Sequence, residues 1–319
     1  MLLAVSVPLS VLYIIQLYDQ QTYAGGPLAK IGKCPYTYIN TQRCEPELAP
    51  KKKEYVQLRN DLNAFLESEK ENGRLTVGAV YFRDLQNGPV LGINSQDSFI
   101  PASLLKLPLM ITYFKKAEMD PNMLKKSVEV KNVQSLDQNI TPSFGAQIGE
   151  TYTREELINK LITQSDNISW KVLLDDLRTD YTEDDFVGTL SDLGIIDPRK
   201  RSDQQYITVQ NYASIFRILY NSSYLNLEMS DKALEVLSRS EFKDGLTVGV
   251  PSNVKVAHKF GEQKNGEEQQ LHDCGIVYYP PNPYVLCVMT RGTNIPDLER
   301  IIQTVSKEVY MEVESRNAD

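Results

Sequence analysis

The chain has 319 residues, 41% hydrophobic and 24% charged, with a formal net charge of −8. That balance supports a folded core and excludes disorder and a multi-span membrane protein. The acidic balance, with no long basic run, excludes most nucleic-acid binders, and four cysteines and two histidines without CxxC, HxxxH or HxxE spacing leave no framework for a metal site.

Residues 1–18 read MLLAVSVPLSVLYIIQLY and carry no charged side chain. As a helix the run would extend about 27 Å, close to the hydrocarbon thickness of a bilayer. It reads first as an uncleaved membrane anchor and second as a cleaved signal peptide, because a basic leader and a small-residue cleavage site are not evident. The missing leader also fits a start further upstream. Residues 19–50, with Gly25-Gly26-Pro27, Pro35, Pro46 and Pro50, read as a linker. Within it Cys34 and Cys44 bracket a short loop. Outside the cytoplasmic membrane such a pair is expected to close a disulfide, two unrelated thiols being the alternative.

From Lys51 the pattern changes. Tyr55, Leu58, Leu62, Phe65 and Leu66 recur at helical spacing, and Gly73 ends the run. LTVGAVYF and VLGIN predict a hairpin around Gln86-Asn87-Gly88-Pro89. Residues from about 101 to 220 read as mostly helical. Thr153 with Glu156 forms a capping box before REELINKLITQ, and Thr182 with Asp185 marks another helix start. VKVAHKF, LHDCGIVYY and YVLCVMTRG then predict strands, with Pro280-Pro281-Asn282-Pro283 as a turn. Cys274 and Cys287 fall on two of these strands, where free thiols and a bond fit equally. A last helix carries Leu298, Ile301, Ile302, Val305 and Val309 on one face. The expected fold class is α/β of the α+β kind, with a mainly antiparallel sheet flanked by helices. The sheet subdomain spans about 51–100 and 221–319. An all-helical subdomain, about 101–220, is inserted, with a cleft between the two.

Ser103-Leu104-Leu105-Lys106 is an S-x-x-K. On a helix, positions i and i+3 share a face, so the lysine amine reaches the serine oxygen. A serine in the first turn also meets free backbone N–H groups and the positive end of the helix dipole. A lysine of lowered pKa beside it could serve as a general base. A lone S-x-x-K has little specificity, and a second, Ser240–Lys243, lies in a polar stretch without further support. Ser103 has such support in Ser165-Asp166-Asn167 downstream and in His258-Lys259-Phe260-Gly261 on a predicted strand. A Ser-His-Asp triad through His258 or His272-Asp273 lacks a G-x-S-x-G elbow. His258 reads instead as a strand residue satisfied by a backbone group.

The ordered set S-x-x-K, SDN, K-x-G resembles that of the class A β-lactamases and the wider penicillin-recognising serine hydrolases, which include the penicillin-binding transpeptidases. The resemblance spans about residues 51–319 and includes the order of elements. It implies that Ser103 is the nucleophile and forms an acyl-enzyme, and that Lys106 takes its proton. It implies that Ser165 relays a proton to the leaving nitrogen, and that Asn167 orients Lys106 and binds a substrate amide. Lys259 would supply positive potential and steady Ser165. Gly261 and Glu262 would border the substrate, with the Glu262 and Ser103 N–H groups as the oxyanion hole. Asp166 would be structural, capping the loop and helix.

Two departures matter. Phe260 stands where the family has Thr or Ser, whose hydroxyl helps hold the substrate carboxylate. The family's deacylating glutamate, in an E-x-x-x-N element after SDN, has no counterpart in DPRKRSDQQYITVQN. The acids there are Asp197 and Asp203, and Gln204 and Gln205 could hold a water without taking its proton. The expected activity is that of a β-lactamase-like serine hydrolase on β-lactams. The alternatives are a D,D-peptidase-like acyl enzyme on D-Ala-D-Ala-type cell-wall peptides and a non-hydrolytic binding module. No cofactor, metal or nucleic acid is implied, and the protein is expected to be a monomer.

Overall fold

The computed structural model describes residues 37–38, 54–86, 88–131, 145–180, 183–195 and 206–317. The apolar run 1–18, Cys34, Cys44, Thr182, Asn87 of the expected turn, and Asp197, Asp203, Gln204 and Gln205 all lie outside them. Among the described residues no helix is long and apolar enough to cross a membrane.

Helix α1 (Val56–Glu71) buries Leu58, Leu62 and Leu66, as their spacing predicts. It gives way at Gly73, whose φ of 71° favours glycine. The hairpin follows as β1 (Val77–Asp84) and β2 (Val90–Ile93). The short β3 (Ser98–Phe99) leads into a 3₁₀ turn, Ala102–Leu105, that runs directly into α2 (Lys106–Ala117). The middle of the chain contains β4 (Ser127–Glu129), β5 (Thr151–Thr153), α3 (Arg154–Thr163), α4 (Asn167–Asp180), α5 (Glu183–Asp192), β6 (Ile207–Thr208) and α6 (Val209–Tyr220). It is therefore not purely helical: β3 pairs β6 and β4 pairs β5 in small antiparallel ladders. Helix α7 (Leu227–Ser238) precedes β7 (Val256–Asn265), β8 (Glu268–Val277) and β9 (Tyr284–Gly292), and α8 (Ile295–Ser315) closes the chain.

The two ends of the chain combine into one five-stranded antiparallel sheet, in the order β2-β1-β9-β8-β7. Strand alternation sends successive side chains to opposite faces. Val80, Phe82, Leu286 and Val288 face a core shared with Leu58, Leu62 and Leu66 of α1 and Leu298, Ile301, Ile302, Val305 and Val309 of α8. Ala79, Tyr81, Val285 and Met289 face the larger core with the middle helices. Ala233, Leu234, Val236 and Leu237 of α7 join that second core, although α7 follows residue 220. Cys274 and Cys287, directly paired across β8 and β9, are disulfide-bonded there, which resolves the choice the sequence left open. Strand β7 is a sheet edge, and its outer side meets the 3₁₀ turn.

The capping box forms as expected. Glu156 N donates to Thr153 Oγ1 at 3.2 Å, and Thr153 N donates to Glu156 Oε2 at 2.7 Å. The Thr153 N–H, and next its hydroxyl at 2.8 Å, donate to Glu156 Oε2 and hold that carboxyl below its usual range. Thr153→Ala is expected to cost about 1 kcal/mol of stability, with Thr153→Ser close to wild type. A urea titration followed by circular dichroism measures this.

Candidate active site

The 3₁₀ turn places Ser103 and Lys106 on one side, as the i, i+3 spacing requires. Lys106 Nζ lies 3.0 Å from Ser103 Oγ. Ser103 sits in the 3₁₀ turn leading into α2 rather than in the first α-turn itself. The turn begins at Ala102, a non-glycine residue with φ of 47°. It is fixed by Leu104 N donating to Pro101 O at 2.9 Å and by the Tyr212 hydroxyl donating to Leu104 O at 2.9 Å. Gly261 of β7 presses against it. A Cβ there would come within 2.9 Å of Pro101 O and of the Leu104 side chain, so only glycine lets strand and turn meet this closely.

The link between α3 and α4 delivers the second group of residues. Ser165 is also left-handed, with φ of 54°. Asp166, buried, accepts from Ala146 N, Ile168 N, Ser169 N and the Ser169 hydroxyl. It caps α4 and ties in the loop at 145–147, the structural role expected for it. Lys106 Nζ donates to Ser165 O at 2.5 Å and to Asn167 Oδ1 at 2.6 Å, and lies 3.1 Å from Ser165 Oγ. Lys259 Nζ donates to Ser165 Oγ at 3.0 Å and to Phe260 O at 2.9 Å. Ser103, Lys106, Ser165, Asn167 and Lys259 are thus joined in one hydrogen-bonded chain, with Gly261 against its nucleophile turn. Glu262 comes to the site through its backbone on the edge strand. Its side chain lies toward Lys264, 3.5 Å away.

Burial sets the electrostatics. Lys106 is 3% exposed and Lys259 is 0% exposed. Desolvation lowers Lys106 to about 7, partly opposed by Asp166. Desolvation, and next the charge of Lys106, push Lys259 well below its ordinary range, with Asp273 opposing. A neutral Lys106 has two N–H hydrogens and a lone pair. The two carbonyl oxygens, Ser165 O and Asn167 Oδ1, can only accept, so they take both hydrogens. The lone pair is left to the hydroxyls of Ser103 and Ser165, which can donate. The arrangement can therefore take a proton from Ser103 and deliver one to Ser165.

The other candidates separate from this cluster. His258 does not bond a backbone group: its Nδ1 lies 2.8 Å from Asp273 Oδ1, and Leu246 N donates to Asp273 Oδ2 at 2.9 Å. Strand alternation puts that pair on the α8 side of the sheet, away from Ser103. His272 Nε2 lies 3.0 Å from Ile100 O. Neither histidine completes a triad with Ser103. At the second S-x-x-K, Lys243 Nζ donates to the carbonyl of Ser240 and not to its hydroxyl. Tyr212 and Phe242, which stacks on Phe260, carried no motif in the sequence. Among the described residues no cluster of His, Cys, Asp and Glu could hold a metal ion.

The sequence model of a family described as "Beta-lactamase enzyme family" matches residues 57–313. No curated protein matches the chain. Solved structures share its fold at low identity. A mutant of PBP-A, in acyl-enzyme complex with penicillin G, is 20% identical with a TM-score of 0.68, covering 84% of this chain and 100% of that one. A class A beta-lactamase representative from Bacteroides cellulosilyticus is 20% identical with a TM-score of 0.67, covering 81% and 99%. The TLA-3 extended-spectrum beta-lactamase is 17% identical with a TM-score of 0.69, covering 82% and 99%.

Lys106 is expected to titrate near pH 7, its neutral fraction growing as pH rises, while solvent-exposed lysines stay protonated to about 10. An NMR titration of lysine side chains, assigned by loss of the signal in Lys106→Met, measures this. Between pH 7 and 10.5 the unfolded chain binds the extra proton, so Lys106 makes stability rise with pH across that window.

Proposed function

The chain belongs to the beta-lactamase enzyme family, and from that premise we propose that it is a serine hydrolase acting on β-lactams through an acyl-Ser103 intermediate. The observation that carries this is the position of Lys106 Nζ, 3.0 Å from Ser103 Oγ and 3.1 Å from Ser165 Oγ. Ser103 Oγ attacks the lactam carbonyl carbon as its proton passes to neutral Lys106. The carbon–nitrogen bond breaks while Ser165 gives its proton to the leaving nitrogen, and Lys106 returns a proton to Ser165. The net transfer is one proton from Ser103 to the leaving nitrogen. Asn167 holds Lys106 in place and receives a substrate amide. Lys259 orients Ser165 and contributes positive potential. The Ser103 and Glu262 N–H groups face the oxyanion, with Gly261 holding β7 close enough for both to serve. A structure of similar fold, the PBP-A mutant, is an acyl-enzyme with penicillin G, which is the intermediate proposed here.

One feature of the sequence favours a second reading for the later half of the reaction. Between Gly194 and Val209 there is no glutamate to activate a deacylating water. The acyl-enzyme then persists, as in a D,D-peptidase-like protein whose own substrates are cell-wall peptides. The domain works outside the cytoplasmic membrane, a location supported by the uncharged run 1–18.

Intact-protein mass spectrometry of the full chain with benzylpenicillin tests both halves. A mass gain on Ser103, absent in Ser103→Ala, is expected, and its lifetime separates hydrolysis from persistence. A folded protein that neither gains mass nor consumes benzylpenicillin, or a gain that survives Ser103→Ala, overturns the acyl-enzyme reading and leaves a binding module.

A further inference from the structure

Groups attached to the leaving atom fall beside Ser165, and what flanks Ser165 there is Lys259 with Phe260. Lys259 is 0% exposed, and its ammonium is taken up by Ser165 Oγ and Phe260 O. The Phe260 ring covers the remaining side, its centroid 4.2 Å from Nζ. Phe260 is in turn stacked on Phe242, with centroids 4.2 Å apart and planes 20° from parallel. The two rings are 4% and 6% exposed.

Phe242 is held where it is by the chain on both sides. Glu241 N donates to Thr163 O at 2.8 Å, and Gln164 Nε2 donates to Glu241 Oε1 at 3.0 Å, both immediately before Ser165. On the other side Gly245 packs so closely that a Cβ would meet Phe242 and the Asp273 carboxylate. The stack is therefore a fixed wall, not a mobile flap.

Glu262, on the same face of β7 as Phe260, and Asp244 together raise the carboxyl of Glu299, after burial. Lys264 answers Glu262 alone, at 3.5 Å. An anion on the leaving group would find no open N–H on Lys259. It would meet a ring with one face over Lys259 and the other stacked on Phe242, which offers it no hydrogen-bond donor.

Resting on the acyl-Ser103 chemistry above, we propose that Phe260, backed by Phe242, determines the specificity of the site. It closes the Lys259 end to anions, so that the preferred acyl donor carries a neutral, apolar leaving group and not a carboxylate.

The test compares acylation of the full chain by benzylpenicillin and by its methyl ester, each rate normalised to hydroxide hydrolysis in buffer. The wild-type chain is expected to react faster with the ester, by roughly tenfold or more. Phe260→Thr, which opens Lys259 and adds a hydroxyl, is expected to shift the ratio toward the acid by about the same factor. Phe260→Leu, still apolar and covering, keeps the ester preference. A wild-type chain faster with the acid overturns the proposal, and that measurement needs no variant to fold. An unchanged ratio in folded Phe260→Thr overturns it too. Acylation with the wrong preference removes this inference alone, whereas no adduct from either donor removes the acyl-enzyme reading with it.

Discussion

Everything at the candidate site depends on one hydroxyl, that of Ser165, held between two buried lysines at 3.1 and 3.0 Å. Two ammonium groups cannot share one small buried oxygen cheaply, because each has lost its water and each repels the other. A proton leaves the pair more readily than it leaves a surface lysine, and the remaining charge belongs to the pair rather than to either residue. The carbonyls of Ser165 and Asn167 decide where the neutral amine points. They fix its two hydrogens and turn its lone pair to the serine hydroxyls. Burial thus favours a neutral amine at Lys106, and two carbonyl oxygens aim it.

Holding that arrangement requires three remote pieces of chain to converge without slack. The nucleophile turn is pinned from one side by Tyr212 of α6 and from the other by Gly261 of the edge strand. The Ser165 link is pinned by Asp166, whose carboxylate satisfies four donors around the start of α4. Ala102 and Ser165 both adopt left-handed backbone, an unfavourable conformation for residues other than glycine. Such strain persists only where the surroundings over-determine it, and both residues adjoin or supply a hydroxyl of the candidate site. The sheet provides the rigidity. Its two faces are packed by separate apolar clusters, so β7 cannot shift to relieve the contact at Gly261.

The fold was legible because its signals are local and periodic. Apolar residues at helical spacing gave α1 and α8, alternation gave the sheet, and Thr153 with Glu156 gave the start of α3. The motif residues were legible for a similar reason, since S-x-x-K encodes its own geometry. The second S-x-x-K marks the limit of that reasoning. Ser240 and Lys243 have the same spacing, yet the lysine bonds the backbone carbonyl of Ser240 and not its hydroxyl. Spacing puts an amine near a serine, and burial by distant segments decides whether the amine is a base. Tyr212, Phe242 and the pairing of His258 with Asp273 went unread because each depends on which segments meet in space.

The same distinction separates the two halves of the proposed reaction. The groups that would form an acyl-enzyme come from a strand edge, a helix start and a capped link, each fixed by backbone bonds and a packed core. In the family the sequence resembles, the water-activating glutamate comes from the segment that here lies between α5 and β6, and this segment contains no glutamate. A chain can therefore keep every requirement for acylation, because the fold itself needs Gly261, Asp166 and the nucleophile turn where they are. Deacylation would need a further side chain that none of these contacts supplies. The aromatic ring of Phe260 likewise lies beside Lys259 while the bond from Lys259 to Ser165 and the pairing of β7 with β8 stay in place. Family membership accordingly fixes the scaffold more tightly than it fixes the substrate or the fate of any intermediate.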